Sequence, residues 1–440
     1  MRPNGGRDRD GQFVWSIKSP PPQGQYDRVE WPVIKEEAMR GSTAGIDDGL
    51  QALSSKHYQL LTFLDKFLSI SIITPLVVAY WRGTWRGTDV LVYSDDGKKS
   101  AMVSMLIGTL GSLLFTLCQS QIMNKIHSHI NPVKYYLITR LYTASFGIVC
   151  VNQFRGAWMF LDLHTSCDVV TVTIITVSSI FILFITKTLR NLSAPPFAVT
   201  IDRYEDYFTV PTFFKYSSDK TWLYLFDCIF SVCVIGTLVV FVWRGTWTLV
   251  DLLLWPNNAV MSACASAMIG YTLVVLTFCM QPFVKYLART LSGVVRLIVV
   301  DIYLLFSFCG TVNVWRGIWN LLNHYFLPDM ANTSFLLTHL VSFLILMLIN
   351  SSNSILVRGV YLDCEEQGDQ CVDFPTYYVR LFFQTRREKK LLRECEKKEG
   401  AFIRKGGGLE SVAILPQDGK KPIIIVPASR NNNEVTQPML

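Results

Sequence analysis

The chain has 440 residues, half of them hydrophobic and only 17% charged, with a formal net charge of +7. Mean hydropathy is positive. So little charge excludes an ordinary soluble domain, in which about 25% of residues are charged.

In chain order, residues 1–58 come first. They are polar, carry the tract Ser19-Pro20-Pro21-Pro22 and lack an apolar core behind the early basic residues. They read as a largely disordered cytoplasmic tail with no cleavable signal, which leaves the first helix as the targeting signal. Eight apolar runs follow, near 63–80, 101–123, 135–151, 169–185, 222–242, 260–280, 297–314 and 334–356. A hydrocarbon core of roughly 30 Å takes about 20 such residues. The fold class expected is therefore an all-α membrane protein with eight transmembrane helices. A first four-helix half spans 59–195, a cytoplasmic linker 196–221, a second half 222–357 and a basic cytoplasmic tail 358–440. Of the 11 cysteines, seven lie inside apolar runs and three in the tail, so no disulfide framework is expected.

Lysine and arginine in the short loops set the orientation. The connections after runs two, four and six are basic, as is the tail, whereas those after runs three, five and seven carry one arginine each. The connection after run one is mixed, with Arg82, Arg86, Lys98 and Lys99. Both termini are placed in the cytoplasm. The sequon at Asn332 then falls on the outer side as a glycosylation candidate, while those at Asn191 and Asn350 fall inside and are silent.

The main signal is an internal repeat. Each odd-numbered helix ends on aromatic-Arg-Gly-x-Trp, followed four residues later by Asp or Asn. The copies are Trp81, Arg82, Gly83, Trp85 and Asp89; Phe154, Arg155, Gly156, Trp158 and Asp162; Trp243, Arg244, Gly245, Trp247 and Asp251; and Trp315, Arg316, Gly317, Trp319 and Asn323. Arg82 to Arg155 is 73 residues and Arg244 to Arg316 is 72, while Arg82 to Arg244 is 162. A two-helix unit, duplicated twice into four parallel copies, explains those spacings.

Two geometries are open for the motif. In a continuous helix, Arg, the second Trp and Asp form one stripe, and a guanidinium can bridge to the carboxylate of a neighbouring unit beside a Trp face. If Gly breaks the helix, the same groups sit on a tight turn. Functionally, the four arginines either form structural locks between repeats or ring a mouth that favours anions. Taken singly, a Trp-Arg pair also suits simple anchoring at the membrane border.

Asp65 and Asp227 occupy equivalent places near the inner helix ends, as do Arg140 and Asp301 with opposite signs. They read as interfacial anchors or, for Arg140 and Asp301, as a pair joining the halves. Runs two and six begin Ser100-x-x-x-Ser104-x-x-x-Gly108 and Ser262-x-x-x-Ser266-x-x-x-Gly270, a small-residue stripe for close helix packing with no acceptor role assigned. Pro75 marks a kink in the first helix.

Residues 380–405 hold ten Lys/Arg against four Glu, interleaved with apolar residues. This is a basic amphipathic helix that suits anionic lipid or calmodulin, or else a solvated helix that satisfies the orientation rule. Catalytic, metal-binding, cofactor-binding and nucleic-acid motifs are missing, so the chain does not read as an enzyme.

At the fourfold motif, over residues 55–360, the sequence resembles the Fuseless family of invertebrate multi-pass membrane proteins. Phe154, in place of the first Trp, is the one departure within the repeat. The resemblance implies a presynaptic plasma-membrane protein that supports neurotransmission and places voltage-gated calcium channels at active zones. Two function classes follow: an organiser of channel or active-zone partners, and a small-solute transporter or ion channel. No run carries a charge in its middle third, which favours the organiser.

Overall fold

Local capping signals set four of the helix starts. The computed structural model describes residues 55–126, 131–202, 207–218, 220–365, 368–374 and 376–383, together with Arg386, Arg393 and short strand segments near the two ends. The long helices are α1 His57–Leu91, α2 Gly97–Leu117, α3 Pro132–His164, α4 Val169–Ile185, α5 Thr221–Leu253, α6 Ala259–Thr290, α7 Gly293–Tyr325 and α8 Ala331–Leu348. Asp96 accepts from the Lys98 and Lys99 amides at the start of α2, Asp168 from Thr171 at α4, and Asn258 from Met261 at α6. Each satisfies donors that a helix start otherwise leaves unpaired. At α3, Asn131 caps the Val133 amide and Pro132 occupies the first turn.

Six of these helices, α1, α2, α5, α6, α7 and α8, are long and apolar enough to cross a membrane. The 33-residue α3 is less apolar, and α4, although apolar, has 17 residues. Helix ends also differ from the hydropathy runs. Four helices continue through the repeated motif, so its glycine does not break them. The last run ends earlier than expected: α8 stops at Leu348, Asn350 adopts a φ of 51°, and a 3-10 turn, Ser352–Ile355, follows.

Pro75 is not the source of the irregularity in α1. A π-helical turn at Ser69–Ile73 precedes it, and α5 contains the corresponding turn at Phe230–Ile235 with no proline. In the wide turn the Ser69 carbonyl accepts the Thr74 amide five residues on and also the Thr74 hydroxyl, at 2.6 Å.

The odd-numbered helices touch one another in the order α1, α3, α5, α7 and back to α1. Every even-numbered helix packs most extensively on the odd helix that follows it: α2 on α3, α4 on α5, α6 on α7, and α8 on α1. The motif glycines explain how. A Cβ on Gly156 would meet the Met105 backbone of α2 at 2.5 Å, one on Gly317 the Ala267 backbone of α6 at 2.6 Å, and one on Gly83 the His339 backbone of α8 at 2.6 Å. On Gly245 it would meet the Thr176 hydroxyl of α4 at 1.8 Å. Glycine is in the motif because a neighbouring helix lies against it. Gly108 and Gly270 return the contact from α2 and α6, against the Gln153 and Val314 backbones.

Outside this helical unit, the segments Met1–Val33 and Thr385–Leu440 form a separate one, with antiparallel backbone pairs Gly5–Arg7/Phe13–Trp15 and Tyr26–Arg28/Ile425–Pro427. Most of the basic stretch 380–405 lies outside the described residues.

Gly156→Ala should lower the stability of the purified protein by about 1–3 kcal/mol, because α2 must move away. Gly87→Ala, on the same kind of helix with nothing within 4 Å, should be neutral or stabilising. Thermal melting in detergent checks the contrast; equal losses would contradict the packing role.

Candidate functional site: an axial aromatic chamber and its arginine ring

All four motif arginines are buried, with 1–3% of their surface exposed, so they do not reach out to the membrane border. Each must find acceptors inside the protein. Arg155 Nε donates to Asp89 at 2.8 Å, Arg244 Nε to Asp162 at 3.0 Å, and Arg316 Nε to Asp251 at 2.7 Å. Arg82 Nε donates to Asn323 Oδ1 at 2.8 Å. Every arginine thus binds the acidic or amide residue of the preceding motif copy, and copy one binds copy four. The ring of contacts is closed.

The remaining guanidinium protons of Arg82, Arg155 and Arg316 go to the even-numbered helices, whereas Arg244 turns to the loop before α4. Arg155 donates to the Ser100 hydroxyl at 2.7 Å and to Ser104, and Arg316 to the Ser262 hydroxyl at 2.7 Å. Arg82 donates twice to Ser334, at 3.1 Å each, and Arg244 lies 3.3 Å from the Cys167 sulfur. The serines therefore have an acceptor role as well as a small volume, which corrects the packing-only expectation. Ser266 instead donates to Asn313, at 3.0 Å to its side chain. Ser334 and Cys167 were not singled out from sequence. Ser334-x-x-x-Thr338 repeats the serine spacing of α2 and α6 and was a usable signal.

Inside the arginine ring the aromatic residues form two tiers. In the first, the rings run Trp85–Trp158, Trp158–Trp247, Trp247–Trp319 and Trp319–Trp85, with centroids 5.6–5.9 Å apart and planes at 81–88°. Such edge-to-face contacts place the positive edge of one ring on the negative face of the next. In the second tier, Trp81 meets Phe154 at 5.0 Å and Trp315 at 5.6 Å, and Trp243 meets Trp315 at 5.3 Å. These four residues are buried, while the first tier is half-exposed. Together the tiers line a chamber of about 200 Å³, with Arg86 at its edge.

The chamber is closed at its deep end by chain that returns after α4 and α8. Asn191, Ser193, Ala194 and Val357 line it there. The Trp315 indole donates to the Pro195 carbonyl at 2.8 Å and the Trp81 indole to Ile355 at 2.9 Å. Two carboxylates fix the returning segments crosswise. Asp363 accepts the Leu189 and Arg190 amides at 2.8 Å each, and Asp202 accepts those of Ser352 and Asn353 at 3.0 and 2.8 Å. Phe154 leaves the second tier without a ring contact to Trp243. A lesser cavity of about 50 Å³ adjoins at that place and shares Phe154, Asn191 and Val357.

The inner-end charges serve the same returning segments. Asp65 pairs with Arg380 at 2.6 Å and accepts the Tyr378 amide at 2.9 Å. Asp227 accepts the Thr212 hydroxyl at 2.7 Å and the Phe214 amide at 2.9 Å. Arg140 does not pair with Asp301: its guanidinium binds Asp202 and Ser352. Both Asp301 carboxylate oxygens are buried with no hydrogen-bond partner. A linker residue reached Arg140 first, which helix periodicity alone does not reveal. Asn332 is exposed in the first turn of α8, whereas Asn191 is buried and bonded to the Tyr361 backbone.

Apolar helices around a plugged aromatic axis define a multi-pass helical membrane protein. The match of the Fuseless family model covers residues 60–356, two-thirds of the chain and the whole of the motif ring. The chain belongs to the Fuseless family. No curated protein matches it, and no solved structure does.

Asn323→Asp should give Arg82 the carboxylate that the other three arginines have and raise stability by about 0.5–1 kcal/mol in low salt, read as a higher melting temperature; a loss would contradict the lock. Burial pushes the Asp363 carboxyl up to about 6. Its folded form thus holds a proton more tightly than the unfolded one, and its contribution to stability declines as pH rises from about 4 through 6. Asp363→Asn should flatten that part of the stability–pH curve, and an unchanged curve would count against the assignment.

Proposed function

We propose that this protein is an eight-span, pseudo-fourfold repeat protein of the presynaptic plasma membrane, with the motif ends outside and both termini in the cytoplasm. Its four-helix halves are 59–195 and 222–357, joined by the linker 196–221. It acts as a rigid organiser that supports synaptic transmission by localising voltage-gated calcium channels at active zones. The observation that carries the reading is the closed ring of arginine contacts. Every motif arginine is consumed within the protein, so the ring braces the helices rather than presenting charge to a conducting pore. The plugged deep end of the axis supports the same view. The synaptic setting comes from the resemblance at the motif. The tail 1–58 and the part of the tail 358–440 that follows the segment held by Asp363 and Arg380 reach partners, and the basic stretch 380–405 adds contact with anionic lipid or calmodulin.

Two measurements test this. Proximity labelling from the C-terminal tail in neurons should recover calcium-channel and active-zone neighbours, and a set without them would overturn the organiser role. Reconstituted vesicles should show no ion or solute flux above protein-free controls. Flux abolished by Arg244→Gln in a folded variant would establish the transporter reading instead.

A further inference from the structure

We infer that the aromatic chamber is a binding site for a small organic anion with an apolar or aromatic body. The volume sets the size of the ligand. At about 200 Å³, the chamber is smaller than the roughly 300 Å³ at which drug-sized sites begin, so it holds one ring or a short chain. Its walls set the body. Seven of the chain's 11 tryptophans and Phe154 surround the space, and such walls gain most from apolar and aromatic surface. The half-exposed first tier is the entrance and the returning segments are the base.

Charge sets the sign. Arg86 is the only charged side chain that lines the chamber among the described residues. It has no counterpart in the other copies, where Met159, Thr248 and Asn320 stand at its place, so it is not part of the repeated brace. Its one ion pair among the described residues is with Asp89 at 3.4 Å, with 43% of its side chain exposed, and Asp89 is held more closely by Arg155 at 2.8 Å. Its guanidinium is thus free to take a stronger acceptor. One turn away, Arg82 faces Asn323 and the Ser334 hydroxyl and, among the described residues, no carboxylate, so the entrance on the α1 side carries uncompensated positive charge. A carboxylate on Arg86 with its body between the tiers satisfies both features, since a guanidinium binds a carboxylate through two parallel bonds. The four indoles alone would also suit a cation: centroids spaced 5.6–5.9 Å around a ring leave the axis about 4 Å from each, inside the roughly 6 Å reach of cation–π attraction. The two arginines on α1 decide against it.

The test is a set of three molecules of one shape, 3-phenylpropionate, 3-phenylpropanol and 3-phenylpropylammonium, titrated into the full-length protein in nanodiscs. Tryptophan fluorescence reports binding, because most of the chain's tryptophans line the site. The propionate should cause a saturable change with an affinity at least about tenfold above that of the alcohol, and the ammonium should bind no better than the alcohol. Arg86→Gln should remove the advantage of the propionate while leaving the melting temperature unchanged, and Arg86→Lys should restore part of it. Tightest binding by the ammonium, equal binding by all three, no saturable change with any, or an Arg86→Gln variant that binds as well as the wild type would each overturn the assignment. The outcome is separate from the organiser role, since channel localisation can fail while the chamber still binds its ligand.

Discussion

A buried guanidinium must be given acceptors, and four of them organise this protein. Arg82, Arg155, Arg244 and Arg316 are each withdrawn from water and lipid, so each requires a partner for its Nε proton and further partners for its terminal nitrogens. The structure supplies the first from the preceding motif copy and the second from an even-numbered helix or, for Arg244, from Cys167 in the loop before α4. Arg82, Arg155 and Arg316 therefore each tie three helices together. The motif glycine on the same helix brings that even-numbered helix close enough for its serine to be reached. Arginine, glycine and acid are thus one device, and the two tryptophans face the axis that the device encloses.

Departures from uniformity in the ring are concentrated where something else is to be done. Phe154 opens a gap in the second tier beside a lesser cavity. Asn323 leaves Arg82 without a counter-charge, and Arg86 adds a second guanidinium at the same edge. A purely structural brace has no need of those differences. The returning segments after α4 and α8 likewise follow one plan: each forms a 3-10 turn, passes beneath the aromatic tiers and is capped by a carboxylate from the segment that follows the other half. Asp202 and Asp363 thereby join the halves at the end opposite the motif ring.

Much of this was legible in the sequence, and the parts that were not share a cause. The fourfold motif, its spacing and the apolar runs are periodic signals, and they named the residues of the ring and both aromatic tiers. The family resemblance rested on the same motif. Partner choice was less accessible. Nothing in the spacing says that α8 packs on α1, because that contact joins the two ends of the helical region. Symmetry offers Asp301 as one partner for Arg140, beside simple anchoring, yet Asp202 in the linker binds it, since irregular segments carry no periodicity from which to place them. The serines of α2 and α6 were read by volume alone because their arginine partners sit on another helix. Hydropathy also treated eight runs alike, whereas α3 and α4 are less suited by composition or by length to crossing a membrane. In α3 the polar positions face the brace and its neighbours: Asn152 and Arg155 are buried, and Gln153 accepts from Ser112.

Closure of the ring is what distinguishes a brace from a row of independent contacts, and it depends on one junction between residues 241 apart in sequence, Arg82 and Asn323. A double-mutant cycle with Arg82→Gln, Asn323→Ala and the pair, measured by thermal or denaturant unfolding in one detergent, addresses it directly. A closed ring gives a coupling on the order of 1 kcal/mol between the two sites. Effects that simply add would mean that Arg82 and Asn323 do not bind, and that the arginine ring is open.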